Sequence, residues 1–295
     1  VMEMVETGKC GTGLAIFLVT LCAAGCGLGL VTDIILYLKR KVRQARESES
    51  SGAEVVMPRS APWELSDIFR FAVIFVFLVS CIQGAAHAVL AYQWISPGAV
   101  ETGALVAGTL GIYVAMLWLM YRILIKGYDA DLSCLGISLR RFFWNAWSGI
   151  VGYIAFIPAF FLLLMASLFV CQLFGIKPQA HELVEIFSVE KSPYTLAYLI
   201  ILAIGLAPVY EEIVFRGFIY GVLRKYAGVQ GGMALSALFF AAIHFNFAQL
   251  IPVWGLGMML AYLYEKTGTL TAPIVFHAIN NGIAVSITLI WLKSV

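Results

Sequence analysis

The chain has 295 residues, of which 61% are hydrophobic and 12% charged, with a net charge of +2 and a mean hydropathy of +0.91. An ordinary soluble domain carries about 25% charged residues, so this chain lacks the polar surface that a water-soluble enzyme, a nucleic-acid binder or a disordered protein needs. The composition implies an all-α, polytopic membrane helix bundle.

A helix needs about 20 mostly apolar residues to cross the hydrocarbon core. Windows of that kind fall near 12–38, 71–92, 104–121, 143–174, 195–215, 229–248, 250–264 and 270–291, which gives about eight spans. The run that begins at Gly11 does not read as a signal peptide, because Glu3 and Glu6 precede it and no A-x-A site closes it. The Ser-, Glu- and Pro-rich stretch 47–66 reads as a linker, and the external stretch 176–194 as an amphipathic helix with Leu183, Ile186 and Phe187 on one face. Gly255 and Gly257 in the seventh window suit close helix packing. The six cysteines form neither a disulfide framework nor a zinc motif.

Basic residues set the orientation. The loops 39–70, 122–142, 216–228 and 265–269 hold 15 of the 19 Lys and Arg. The positive-inside rule places those loops in the cytoplasm and both termini outside.

Ionisable groups inside spans are costly and mark functional sites. Asp33 and His87 read as an interface residue and a packing histidine. The last third is different, because Glu211, Glu212, Arg216, His244, His277, Asn280 and Asn281 lie in or beside apolar helix. Glu212 and Arg216 are four apart and can pair on one helical face. Glu211 points about 100° away, which leaves it freer to act as a general base. Pro208, three residues earlier, tends to kink the helix and free a carbonyl. His277 and Asn281 share one face, as do Phe240 and His244. At about 1.5 Å per residue, Glu211 lies about 24 Å below the external start of its span and His277 about 10 Å from the cytoplasmic side, so the two can meet. His244 falls nearer the outer half, out of step with the others.

The pattern EExxxR (Glu211, Glu212, Arg216), FxxxH (Phe240, His244) and HxxxN (His277, Asn281) resembles the CPBP intramembrane proteases, which include CAAX prenyl endopeptidases and bacterial Abi proteins. The resemblance covers roughly residues 195–291. It implies a catalytic core over 175–295, accessory helices over 67–174, and an N-terminal span with a linker over 1–66. It also implies an endopeptidase in which Glu211 activates a water and His244 helps to hold it. His277 and Asn281 would donate hydrogen bonds to the oxyanion, and Glu212 and Arg216 would support the site.

Two cofactor readings stay open. Glu211, His244 and His277 could hold one divalent metal such as zinc, or no cofactor is required. The lack of HExxH and the 33-residue separations favour the second. The implied partners are the bilayer and a peptide or protein substrate, with a lipidated C-terminus as one form, and no nucleic acid. Two other classes fit less of the pattern: a non-catalytic membrane scaffold or immunity protein, and an ion-coupled transporter, for which no internal repeat is evident.

Overall fold

The structure is a computed structural model, and it describes residues 62–91, 97–176, 187, 192–244 and 246–294, without the side chains of 82–91 and 97–107. The expected first span, the basic cluster at 39–46, most of the linker, Asp33, the side chain of His87, Leu183, Ile186 and the first three cysteines lie outside the described residues. All regular structure among the described residues is helical. The chain divides into two compact units, one ending at Asp129 and one that takes up Trp63 and runs from Ala130 onward.

In the first unit, α1 (Leu65–Ala91) packs against α2 (Pro97–Met120), which continues as a π-helical turn over Tyr121–Lys126. Asp67 anchors the start of α1. Its buried carboxylate accepts the Glu64 N–H at 2.8 Å, the Tyr128 hydroxyl, and Arg70 Nη1 at 3.4 Å. A helix start leaves backbone donors without partners, and an acid in the first turn supplies an acceptor.

The second unit opens with a short 3₁₀ turn, Leu132–Leu135, capped by Asp131, whose side chain accepts the Ser133 N–H at 2.7 Å. Hydrogen bonds from Ser133 hold the Asp131 carboxyl below the usual carboxylate range. Then come α3 (Phe142–Leu173), α4 (193–227), α5 (229–242), α6 (Leu250–Thr267) and α7 (Thr271–Ser294). α6 ends at Gly268, whose φ of 68° closes the helix with an N–H to the Tyr264 carbonyl at 2.8 Å.

Five helical stretches among the described residues are long and apolar enough to cross a membrane: Gly108–Lys126, Phe142–Leu173, Pro193–Ala242, Phe247–Thr267 and Thr271–Ser294. The third holds two of the expected windows, because the helix breaks at Gly228 (φ 69°, ψ −176°). Only glycine adopts that geometry readily. This corrects one boundary. Residues 216–227, with Arg224 and Lys225, fall in the 216–228 gap between two apolar windows that is expected to form a cytoplasmic loop; they continue the helix of Glu211 up to the Gly228 turn. Those two charges are held within the unit: Arg224 Nη2 donates to Glu265 at 3.0 Å, and Lys225 Nζ donates to the Trp63 carbonyl at 2.8 Å.

Contacts fix the helix directions. Gly232 lies against Arg224 while Ser236 bonds the Phe215 carbonyl, so α4 and α5 run antiparallel. Glu212 meets His277 while Ala203 meets Asn281, so α4 and α7 are antiparallel too. Small residues bring the helices close. A Cβ at Gly149 of α3 would lie 2.5 Å from the Ala272 carbonyl of α7, and one at Gly257 of α6 would lie 2.9 Å from Ala237 of α5. Gly255 likewise abuts Leu163. The outer side of α3 exposes Phe143, Trp144, Trp147, Ile154, Phe161, Leu162 and Phe169, apolar surface that suits contact with lipid rather than water.

Candidate active site

Glu211 and Glu212 end a short α-helical stretch, Ala207–Glu212, set between two π-helical ones, Leu202–Leu206 and Ile213–Tyr220. π segments inside helices often accompany functional sites. Here the first has a traceable cause. In the π pattern Ala207 N–H bonds the Leu202 carbonyl, five residues back. The next donor in that register would be Pro208, which has no N–H, so the Ala203 carbonyl needs another partner. Asn281 Nδ2 supplies it at 2.9 Å from α7. Asn280 Nδ2 in turn donates to Asn281 Oδ1 at 3.3 Å.

The centre of the site is a buried charge array. Arg216 Nη1 and Glu212 Oε1 are 2.8 Å apart with both side chains fully buried. The same Oε1 lies 2.9 Å from His277 Nδ1, and His277 Nε2 faces Glu211 Oε2 at 3.7 Å. Arg216 Nη2 donates to the Gly257 carbonyl at 3.2 Å, which ties the array to α6. Burying a guanidinium and a carboxylate is tolerable only when both are paired and hydrogen-bonded. The two adjacent glutamates therefore have the two environments expected of them. Glu212 is wholly buried and pinned by a cation and an imidazole. Glu211 keeps a fifth of its side chain exposed, with His277 Nε2 3.7 Å from its Oε2.

These contacts constrain the imidazoles. With Nδ1 on a carboxylate oxygen, His277 carries its proton there. Its Nε2, toward Glu211, is then an acceptor in the neutral ring and a donor in the imidazolium. Two atoms 3.7 Å apart are beyond direct hydrogen bonding but can share one water.

His244 is brought to the same region by the corrected helix boundary. It lies 16 residues after the Gly228 turn, and Glu211 lies 17 before it. On antiparallel helices the two are level, which removes the mismatch in depth. At 14 residues, α5 is only about 21 Å long, short of the ~30 Å hydrocarbon core. Its end, if the helix spans from its surface, therefore falls at membrane depth, where irregular backbone must be satisfied by protein or by a polar cavity. His244 Nδ1 meets this need in part by donating to the Phe240 carbonyl at 2.7 Å. That leaves Nε2 as a lone-pair acceptor in the neutral ring.

Among the described residues no three His, Cys, Asp or Glu side chains converge as metal ligands would. His277 Nδ1 and His244 Nδ1 bond Glu212 and a backbone carbonyl, an arrangement that orients each ring and leaves its Nε2 open.

Three partners of the site were not singled out as such by the sequence. Gly257 offers its carbonyl, Ala203 engages Asn281, and Phe240 lies against both histidines. Pro208, eight residues before Arg216 on a mostly apolar helix, is the one sequence signal for the Ala203 contact.

The sequence profile of the Rce1-like family, type II CAAX prenyl endopeptidases, matches residues 193–283. The chain is similar to a putative membrane peptidase, YdiL, of Bacillus subtilis (strain 168), 29% identical over 87 residues, 30% of this chain and 36% of that protein. It is also similar to the membrane-embedded CAAX protease MroQ of Staphylococcus aureus (strain USA300), 29% identical over 134 residues, 41% of this chain and 51% of that protein. The alignments thus span about a third to a half of the length of these curated relatives. No solved structure gives a significant match. The chain is a multi-pass membrane protein, and Glu211, Glu212, Arg216 and His277 all fall within the residues, 193–283, that match the Rce1-like family profile.

Proposed function

We propose that this chain is an intramembrane endopeptidase that hydrolyses a peptide bond with a water activated by Glu211, toward the cytoplasmic side of the bilayer. The observation that carries the proposal is the split between the two adjacent glutamates, one sealed into an ion pair and the other partly open beside His277 Nε2. A partly exposed carboxylate beside an imidazole, with its neighbour's charge already neutralised, is equipped for general-base work.

In the reaction, a water bound at Glu211 Oε2 gives one proton to that carboxylate while its oxygen bonds to the scissile carbonyl carbon. His244 Nε2 accepts the other O–H and orients the lone pair. The oxyanion receives hydrogen bonds from His277 Nε2–H, in a ring that carries both protons, and from the second N–H of Asn281. The C–N bond then breaks, and the leaving amine takes the proton from Glu211. Glu212 and Arg216 hold His277 and do not exchange protons with substrate. The substrate is a peptide or protein held in or beside the membrane, and a lipidated C-terminus accords with the CAAX prenyl endopeptidase description of the matched family.

Because the substrate is unidentified, the direct test is to compare new protein N-termini in membranes from cells expressing the wild type or Glu211→Gln. The proposal expects a set of cleavage sites present with the wild type and absent with the variant. Identical N-termini at equal expression would overturn it.

A further inference from the structure

The ring of Phe240 is the meeting point of the site. It is 1% exposed. The Arg216 guanidinium lies 4.5 Å from its centroid. The imidazoles of His244 and His277 approach at 5.0 and 5.6 Å with interplanar angles of 66° and 84°, and Phe215 approaches at 5.1 Å and 80°. Its backbone carbonyl accepts the His244 Nδ1–H. One residue of α5 therefore touches the cation of α4, the histidine of α7, and the histidine that follows α5.

We infer that Phe240 is a positioning residue of the hydrolytic site, whose π face holds the Arg216 charge and whose ring sets the angle of both imidazoles. The chemistry is specific to an aromatic. Arg216 directs Nη1 to Glu212 and Nη2 to Gly257, while its Nε has no hydrogen-bond partner among the described residues. In a dry interior the remaining stabilisation of a planar cation comes from a negative ring face. If the guanidinium turns, Glu212 Oε1 turns with it. His277 Nδ1 is bonded to that same oxygen, so Nε2 then loses its aim at Glu211. The perpendicular contacts with the two imidazoles are the preferred geometry of aromatic pairs and resist ring rotation. A leucine fills similar space but supplies neither effect.

The inference rests on the hydrolytic reading, and the test separates the two. Phe240 is replaced by mono-, di- and trifluorophenylalanine, which keep shape while draining the ring face. Cleavage of a peptide spanning a site found in the N-terminus comparison is then followed. The expected result is a stepwise fall in kcat, roughly tenfold across the series, with KM within about threefold. Phe240→Leu should lose more. A flat series with active wild type and inactive Glu211→Gln overturns this inference and leaves the proposed function standing. If wild type and Glu211→Gln both fail to cleave, the proposed function falls instead. The positioning claim is then decided by the imidazole NMR resonances of His244 and His277. They should move in Phe240→Leu and stay in place in Met233→Leu, a substitution at a buried α5 position outside the ring cluster. Resonances that do not move in Phe240→Leu overturn the positioning claim.

Discussion

Glu212 Oε1 accepts from Arg216 and from His277 within 3 Å, while the other carboxylate oxygen has no hydrogen-bond partner among the described residues. Loss of either partner would leave a charge stranded in apolar surroundings. Glu212→Ala or Arg216→Met alone should therefore destabilise the protein by about 3–5 kcal/mol, read as thermal unfolding in detergent. Replacing both by methionine should recover part of that loss, since neither the guanidinium nor the carboxylate is then stranded and only the His277 Nδ1–H loses its acceptor. Equal loss in the double variant would show that the pair matters through contacts other than its charge. The i,i+4 spacing of this pair was legible in the sequence because helical geometry alone dictates it. The Gly257 carbonyl and the Phe240 face were not, because both depend on which helices neighbour α4.

At the scale of elements, the π segment before Glu211 exists because Pro208 removes a donor and Asn281 replaces it. Asn281→Ala should leave the Ala203 carbonyl unsatisfied and cost about 1–3 kcal/mol. In a Pro208→Ala background residue 208 regains its N–H, so the same change should cost clearly less. Additive costs in this double-mutant cycle would contradict the assignment. The Gly228 turn carries a second expectation: Gly228→Ala should destabilise by about 1–3 kcal/mol, because the backbone there lies where side chains are strained. Hydropathy revealed the apolar runs that became α3, α6 and α7, but misread 216–227. The gap between two apolar windows there reads as a loop, whereas the helix continues through it and Arg224 and Lys225 are held by Glu265 and by the Trp63 carbonyl. A window average cannot distinguish a paired charge from a hydrated one.

For the whole molecule, the low charge content correctly excluded soluble classes, and the few charges left in apolar helix led to the array in the second unit. Orientation is a proposal that rests on the distribution of Lys and Arg. It places the segment between the spans Gly108–Lys126 and Phe142–Leu173 in the cytoplasm. Cys134 lies in that segment and is exposed. In a variant retaining only this cysteine, a membrane-impermeant maleimide should label inside-out vesicles and spare intact cells. Labelling of intact cells would invert the topology, and with it the side on which the proposed cleavage occurs.

The central claim is that Glu211, and not its buried neighbour, activates the attacking water. It is tested most directly by purified protein in lipid vesicles with a peptide that spans a cleavage site found in cells. The account predicts turnover by the wild type and a loss of about 10³-fold in Glu211→Gln, with the variant's folding and peptide affinity kept. Equal turnover by the two proteins would contradict it.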